Sequence, residues 1–347
     1  MRRPHDGPVT RNSLPAVLEP ALPMPFADRP AAEDSPFFLV GPLRSGTTVL
    51  RLLLGHHPRI CRCDEMEYVA SAIAGRLDWP DVASYVARLP ERFDFRSSGF
   101  VPDSSLSFVE LVNDFFAQRR AADGRELVGA TVHNEFDQLV RVWPEARFIR
   151  LDRDPRDVAR SCVAMGWAGN AWAGAEYWLR ADAAWRRLRR AVPEERRLEV
   201  RFDELMNEPV AALTRITAFL GVGFDPAMLD IERDTTYRRP DRRQARSWRD
   251  DAADDDVRQV EARLGPRMAA AGYAPSGLPL LPLSPLREVS LRLGHRIGRM
   301  QASRRRYGLR LWSTHVLGRK LAWLPAFGEA RRRARSAMAA IDEMHLK

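Results

Sequence analysis

Four consecutive apolar residues, Phe37-Phe38-Leu39-Val40, precede a loop that holds Gly41, Pro42 and Gly46. An unbroken apolar run of this length predicts a strand buried on both faces, as in a parallel sheet. Val49, Leu50, Leu52, Leu53 and Leu54 follow, apolar on most faces, and predict a helix packed inside an α/β domain. Related patterns recur. Ile60–Cys63 predicts a short strand that meets its loop at Asp64, Glu65 and Glu67. Leu106 to Phe116 has helical spacing at Phe108, Leu111, Val112 and Phe115. Residues 127–133 predict a strand ending at a loop, then a helix over 135–142 with Phe136, Leu139 and Val140 on its apolar face. Residues 147–161 predict another strand, turn and helix, with the strand ending at Arg153 and Asp154-Pro155 a capped helix start. A helix follows with Trp178, Leu179, Trp185 and Leu188 inward and Arg186, Arg187, Arg189 and Arg190 outward. Residues 197–205 read as a late strand and turn, and 209–220 as a helix closed by Gly221. Strands alternating with helices predict an α/β fold, a P-loop-like parallel sheet flanked by helices.

The two ends read differently. Residues 1–34 are rich in Pro and Ala without periodicity, which predicts a disordered N-terminal segment. The domain is expected over 35–275. It closes with a helix that follows the acidic run 250–256 and ends at Gly272-Tyr273. From 276 to 347 the chain turns Leu/Pro-rich and then basic. Leu291, Leu293, Ile297 and Met300, and later Leu309, Trp312, Val316 and Leu317, lie among arginines, predicting a basic amphipathic helical extension.

Charge sharpens that division. The 347 residues carry 55 Lys+Arg against 46 Asp+Glu, a net charge of +9. Residues 275–347 hold 15 of the basic and 4 of the acidic residues, leaving 40 against 42 elsewhere. The excess belongs to the extension, which packs back on the domain, meets another copy or contacts an anionic membrane surface. It does not mark the domain as a nucleic-acid binder. Cys61, Cys63 and Cys162 are too few and wrongly spaced for a disulfide scaffold or zinc site and read as reduced thiols. No apolar run reaches membrane length, and no apolar segment follows Arg2-Arg3, so a cytoplasmic protein is expected. His56-His57 reads as a helix-end pair, since neighbouring residues face different ways and no third metal ligand is evident.

Strand, tight loop and helix start make a phosphate cradle at 41–54. The helix N-terminus offers unpaired N–H groups, and Gly46 lets the backbone approach an anion. Ser45, Thr47 and Thr48 add hydroxyls and Arg44 a guanidinium. The spacing from Gly41 to Thr48 fits Gly-x-x-x-x-Gly-Lys-[Ser/Thr], but Thr47 stands in the Lys position. The only lysines are Lys320 and Lys347, which argues against ordinary ATP or GTP hydrolysis. A second strand–turn–helix, Phe148 to Ser161, carries Arg153 at its strand end and Ser161 eight residues on. The loop between Trp167 and Trp172 suits either substrate stacking or core packing.

Arg-Ser-Gly-Thr-Thr at 44–48 resembles the 5′-phosphosulfate loop of sulfotransferases that use 3′-phosphoadenosine 5′-phosphosulfate (PAPS). Arg153 and Ser161 match the Arg and Ser of those enzymes' 3′-phosphate motif. The resemblance spans about residues 36–274 and implies that Arg44, Ser45, Gly46, Thr47, Thr48, Arg153 and Ser161 bind the nucleotide. The loose match of the basic 238–249 stretch adds Arg246. Phe202 stands where relatives carry a Tyr. The run through His57-Pro58 to an acidic pair looks most like tyrosylprotein sulfotransferases and bacterial relatives, which implies Glu65 as catalytic base and no metal. His133 is the alternative base, although Ala130 stands where relatives near such a His carry Lys. The acceptor hydroxyl or amine is not implied. A degenerate P-loop kinase and a non-catalytic nucleotide- or partner-binding protein remain the rival classes.

Overall fold

The computed structural model describes residues 35–233, 235–245, 247–320 and 325–346. The N-terminal segment expected to be disordered lies outside them. Phe37–Val40 forms β1, buried throughout. Thr47–Gly55 forms α1, Asp64–Glu65 β2 and Phe108–Asp123 α2. Gly129–Val132 is β3, Arg147–Asp152 β4, Pro155–Ala164 α3 and Ala171–Ala191 α4. Arg197–Arg201 is β5, Phe202–Asn207 α5 and Pro209–Leu220 α6. The strands form one sheet in the order β2-β3-β1-β4-β5, and every pairing is parallel. The chain steps to one side of β1 and then to the other, so β1 lies at the topological switch point. Ligands of open parallel sheets sit outside the carboxyl ends of the strands at such a point.

The alternation of side chains along β1 builds two core layers. Phe38 and Val40 face one layer, where the Phe38 ring lies 5.5 Å from Phe148 and 5.2 Å from Trp143. Phe37 and Leu39 face the other, against Leu50, Leu53 and Leu54 of α1 and Leu213 and Ile216 of α6. These layers fix the sheet from both faces and leave its carboxyl edge to the loops.

Three local expectations shift. The second strand is Asp64–Glu65 and not 60–63. Ile60 makes only an isolated bridge to Leu127, because the Arg62 N–H donates instead to the Asp123 carboxylate of α2 at 2.7 Å. Residues 136–141 wind as a 3₁₀-helix, in which Phe136 and Leu139, three apart, share one buried side. The helix before Gly272 is two, Asp254–Leu264, designated α7, and Pro266–Ala270, parted at Gly265 with φ 56°.

Beyond a stretch at 274–284 without helix or strand, Pro285–Lys320 forms α8, broken at Gly308, and Pro325–Leu346 forms α9. The first half of α8 packs back on the loop between α3 and α4. Gly169 N–H donates to His295 Nδ1 at 3.1 Å, Asn170 Nδ2 to the Leu291 carbonyl at 2.7 Å, and Arg306 to the Met165 carbonyl at 2.6 Å. Among the described residues, no helix is long and apolar enough to cross a membrane.

Candidate active site

All five strands deliver residues to the same edge: Gly41 after β1, Glu65 ending β2, His133 after β3, Arg153 after β4 and Phe202 after β5. The loop from Gly41 to Gly46 is held in conformations that side chains resist. Gly41 has φ 147°, and a Cβ there would overlap the Leu151 carbonyl oxygen. Gly46 has φ 95°, and its Cβ would collide with the Phe202 ring. Arg44 itself is left-handed at φ 71°, a conformation a long side chain adopts only at a cost.

The second cradle is built as its sequence dictates. The Asp154 carboxylate caps α3 by accepting from Arg156 N–H, with Pro155 in the first position. Ser161 lies in the helix beyond, and its Oγ accepts from Arg44 Nε at 2.9 Å. Arg153 Nη1 donates to the Arg44 carbonyl at 3.3 Å, and its guanidinium lies 4.4 Å from the Phe202 ring. One ring thus covers Gly46 of the first loop and Arg153 of the second. Burial pulls the Arg153 guanidinium below its ordinary range; Asp157 opposes that shift and Arg44 reinforces it. Two neighbouring cations, one of them half-buried, make this edge receptive to an anion. Ser45 Oγ and Arg153 Nε are buried without hydrogen-bond partners among the described residues. A phosphate or sulfate oxygen would satisfy such groups.

His133 and Glu65 occupy neighbouring parts of the edge. A carbonyl only accepts, so the 3.1 Å contact of His133 Nδ1 with the Gly41 carbonyl places the ring proton on Nδ1. In the neutral ring Nε2 is then the acceptor, 3.5 Å from Thr47 Oγ1. The turn carrying His133 is held by Glu67, whose carboxylate accepts from the N–H groups of His133 and Asn134. Burial raises the Glu67 pKa, while the nearby His133 and these hydrogen bonds pull it down. Glu65 pairs in register with Thr131 and sits 3.6 Å from the Arg51 guanidinium. Its neighbour Asp64 is committed elsewhere, bonded to the buried Arg119 at 2.7 Å. Burial raises the Asp64 pKa, opposed by Arg119 and Arg62.

The structure therefore joins Arg44, Arg153 and Ser161 in one contact set and links Thr47 to His133, with Glu65 on the same edge. Thr48 is in the first turn of α1. Arg246 lies outside the described residues. The Gln244 carbonyl, from the same stretch, reaches 3.5 Å from Arg153 Nη2, and Ser247 donates to Asp157 at 2.8 Å. The two indoles part company. Trp172 is buried against Arg263, whereas Trp167 lies 5.8 Å from the Arg44 guanidinium and borders a cavity of about 300 Å³. Sequence reasoning missed the covering role of Phe202 and the anchoring role of Glu67. The apolar replacement at 202 was the available signal for the first.

A parallel sheet with a glycine-bearing anion loop and helix N-terminus at its switch point has the architecture of nucleotide-binding α/β proteins. The chain belongs to the sulfotransferase family, whose profile matches residues 36–226. The sulfotransferase domain of the curacin biosynthetic pathway superposes with a TM-score of 0.50 at 16% identity, covering 71% of this chain and 99% of that one. The sulfotransferase domain of the Synechococcus PCC 7002 olefin synthase gives 0.50 at 18%, covering 74% and 100%. At these identities the likeness is one of fold. No curated protein sequence matches the chain.

Proposed function

We propose that the chain transfers the sulfuryl group of PAPS to a hydroxyl or amine of an acceptor. The observation that supports this reading best is the direct contact between the two cradles, Arg44 with Ser161 and Arg153 with the Arg44 backbone. In this reading Arg44, Ser45, Gly46, Thr47 and Thr48 hold the 5′-phosphosulfate, and Arg153 and Ser161 hold the 3′-phosphate. Arg246 joins them from the 238–249 stretch. The acceptor oxygen or nitrogen attacks sulfur in line. The bond from sulfur to the 5′-phosphate oxygen breaks, and 3′-phosphoadenosine 5′-phosphate (PAP) leaves. Charge spreads onto the surrounding oxygens, as in phosphoryl transfer. Arg44 and the first N–H groups of α1 stabilise that charge without reorganising. No metal is called for.

Glu65 takes the acceptor's proton. It stands at the strand end on the ligand edge, at the position that the resemblance assigns to the base. A second reading gives that role to His133. What favours it is the tautomer: Nδ1 donates to Gly41, leaving Nε2 as an acceptor beside Thr47.

Incubation with sulfur-labelled PAPS and a cell extract, followed by identification of labelled products, tests the activity and identifies the acceptor. PAP binding without any sulfated product would leave a nucleotide-binding protein. Magnesium-dependent ATP turnover would point to a kinase.

A further inference from the structure

The helix from Pro285 to the break at Gly308 carries two opposed faces. At about 100° per residue, Leu291, His295, Gly298 and Ala302 fall on one side. This side meets the loop between α3 and α4. Leu291 is buried, His295 accepts from Gly169, and a Cβ on Gly298 would overlap the Gly169 backbone. Leu286, Val289, Leu293, Ile297 and Met300 fall within an arc of about 80°, centred opposite the docked side. Their exposures are 84%, 62%, 55%, 42% and 41%, so no described residue covers the stripe. It runs about 21 Å, four turns of helix.

Its surroundings say what would cover it. Arg292 and Arg296 flank the stripe on one side and Arg304 stands at its end, while Arg305 and Arg287, the latter 3.9 Å from Asp255 of α7, lie nearer the docked side. From Pro285 to Tyr307 there are seven arginines and one acidic residue, Glu288. A second copy brought stripe to stripe would set Arg292, Arg296 and Arg304 against arginines of the same helix. An acidic lipid surface instead accepts the leucines between its acyl chains and the guanidinium groups among its phosphates. Arginine stems can lie along the apolar side while their heads reach outward.

We propose that the exposed stripe of α8 docks this protein onto an anionic membrane surface, lying in its plane. The docking does not depend on the sulfotransferase chemistry, and its test needs no acceptor. Full-length protein is floated with vesicles of equal parts phosphatidylcholine and phosphatidylglycerol, and with phosphatidylcholine alone. Flotation is expected with the acidic vesicles only and should weaken with added salt. The double variant L293E/I297E should lower binding by about tenfold or more. R292Q/R296Q should lower it about fivefold per charge and narrow the preference for acidic lipid. All four positions are surface residues of the stripe or its flank. Circular dichroism and PAP titration check that each variant remains folded. Sedimentation is run alongside. Absence of flotation with acidic vesicles would overturn the proposal, as would flotation indifferent to the stripe variants. A wild-type dimer that L293E/I297E converts to monomer would assign the stripe to a second copy.

Discussion

Arg44 Nε donates to Ser161 Oγ at 2.9 Å, joining residues 117 positions apart. One belongs to the loop after β1 and the other to the helix after β4. In the proposed function they serve opposite ends of one nucleotide, so a 3′,5′-bisphosphate would bridge elements that already meet.

The protein should therefore bind PAP far better than 5′-AMP. Each charge-assisted contact to the 3′-phosphate is worth on the order of 1.5–3 kcal/mol, a factor of roughly ten to a hundred and fifty. Calorimetry on PAP, AMP and ATP gives the comparison. Ser161→Ala should weaken PAP and leave AMP nearly unchanged. Equal affinity for PAP and AMP would remove the second cradle from the argument.

Phe202→Ala should damage both loops at once. Its ring covers Gly46 and stacks 4.4 Å from the Arg153 guanidinium. Truncating a buried Phe costs about 3–5 kcal/mol, and here it also frees Arg153. Thermal unfolding should shift down strongly and PAP affinity should fall. Phe202→Leu should retain most of the stability and still lose affinity. If Phe202→Leu binds PAP normally, the ring serves the core alone.

The parts of the site that could be read from sequence are those whose geometry is local. Asp154-Pro155 sets its helix start, and Gly41 to Thr48 its loop, through neighbouring residues. Ser161 falls on the right helix because eight residues span about two turns. What escaped is long-range. Phe202 meets Gly46 only because β5 ends on the edge where β1 does. Glu67 holds the His133 turn because β2 and β3 are neighbours. The sequence pattern groups Leu291 with Leu293, Ile297 and Met300, yet Leu291 lies on the docked side of α8 while they face outward. Helical periodicity alone does not say which of two apolar faces is covered.

Docking of α8 on the body should weaken in mild acid. His295 Nδ1 accepts from Gly169 N–H, so a proton there would remove the bond. Burial lowers the His295 pKa, aided by Arg299 and Arg296 on the same helix. The undocked imidazole, with an ordinary value near 6.5, protonates first. The contribution is thus present above about pH 6.5 and is lost as pH falls through the lower docked value. Hydrogen exchange at the Gly169 amide, followed from pH 7.5 to 5, should show rising exposure beyond the intrinsic pH effect. His295→Asn keeps an acceptor that does not titrate and should flatten the profile. An unchanged profile in that variant would exclude the imidazole as the cause.

Glu65 and His133 can be separated by their variants. Both stand on the carboxyl edge of the sheet, one ending β2 and the other following β3, and these strands pair directly. Glu65 faces the Arg51 guanidinium at 3.6 Å and remains partly exposed, so it can reach an incoming acceptor. His133 is buried, tied through Nδ1 to the cradle's own Gly41 carbonyl. Removing it should disturb the loop as well as any proton transfer. Glu65→Gln keeps shape and removes basicity. It should leave PAP affinity nearly unchanged and slow single-turnover transfer by roughly 10²–10⁴-fold, the scale of one positioned base. His133→Gln should weaken PAP binding and slow transfer less. The measurement is single-turnover transfer from labelled PAPS to the acceptor identified from extract, with PAP titrations on both variants. Near-normal transfer by Glu65→Gln, together with a large loss in His133→Gln at saturating PAPS, would move the proton to Nε2. Glu65 would then keep only its pairing with Arg51.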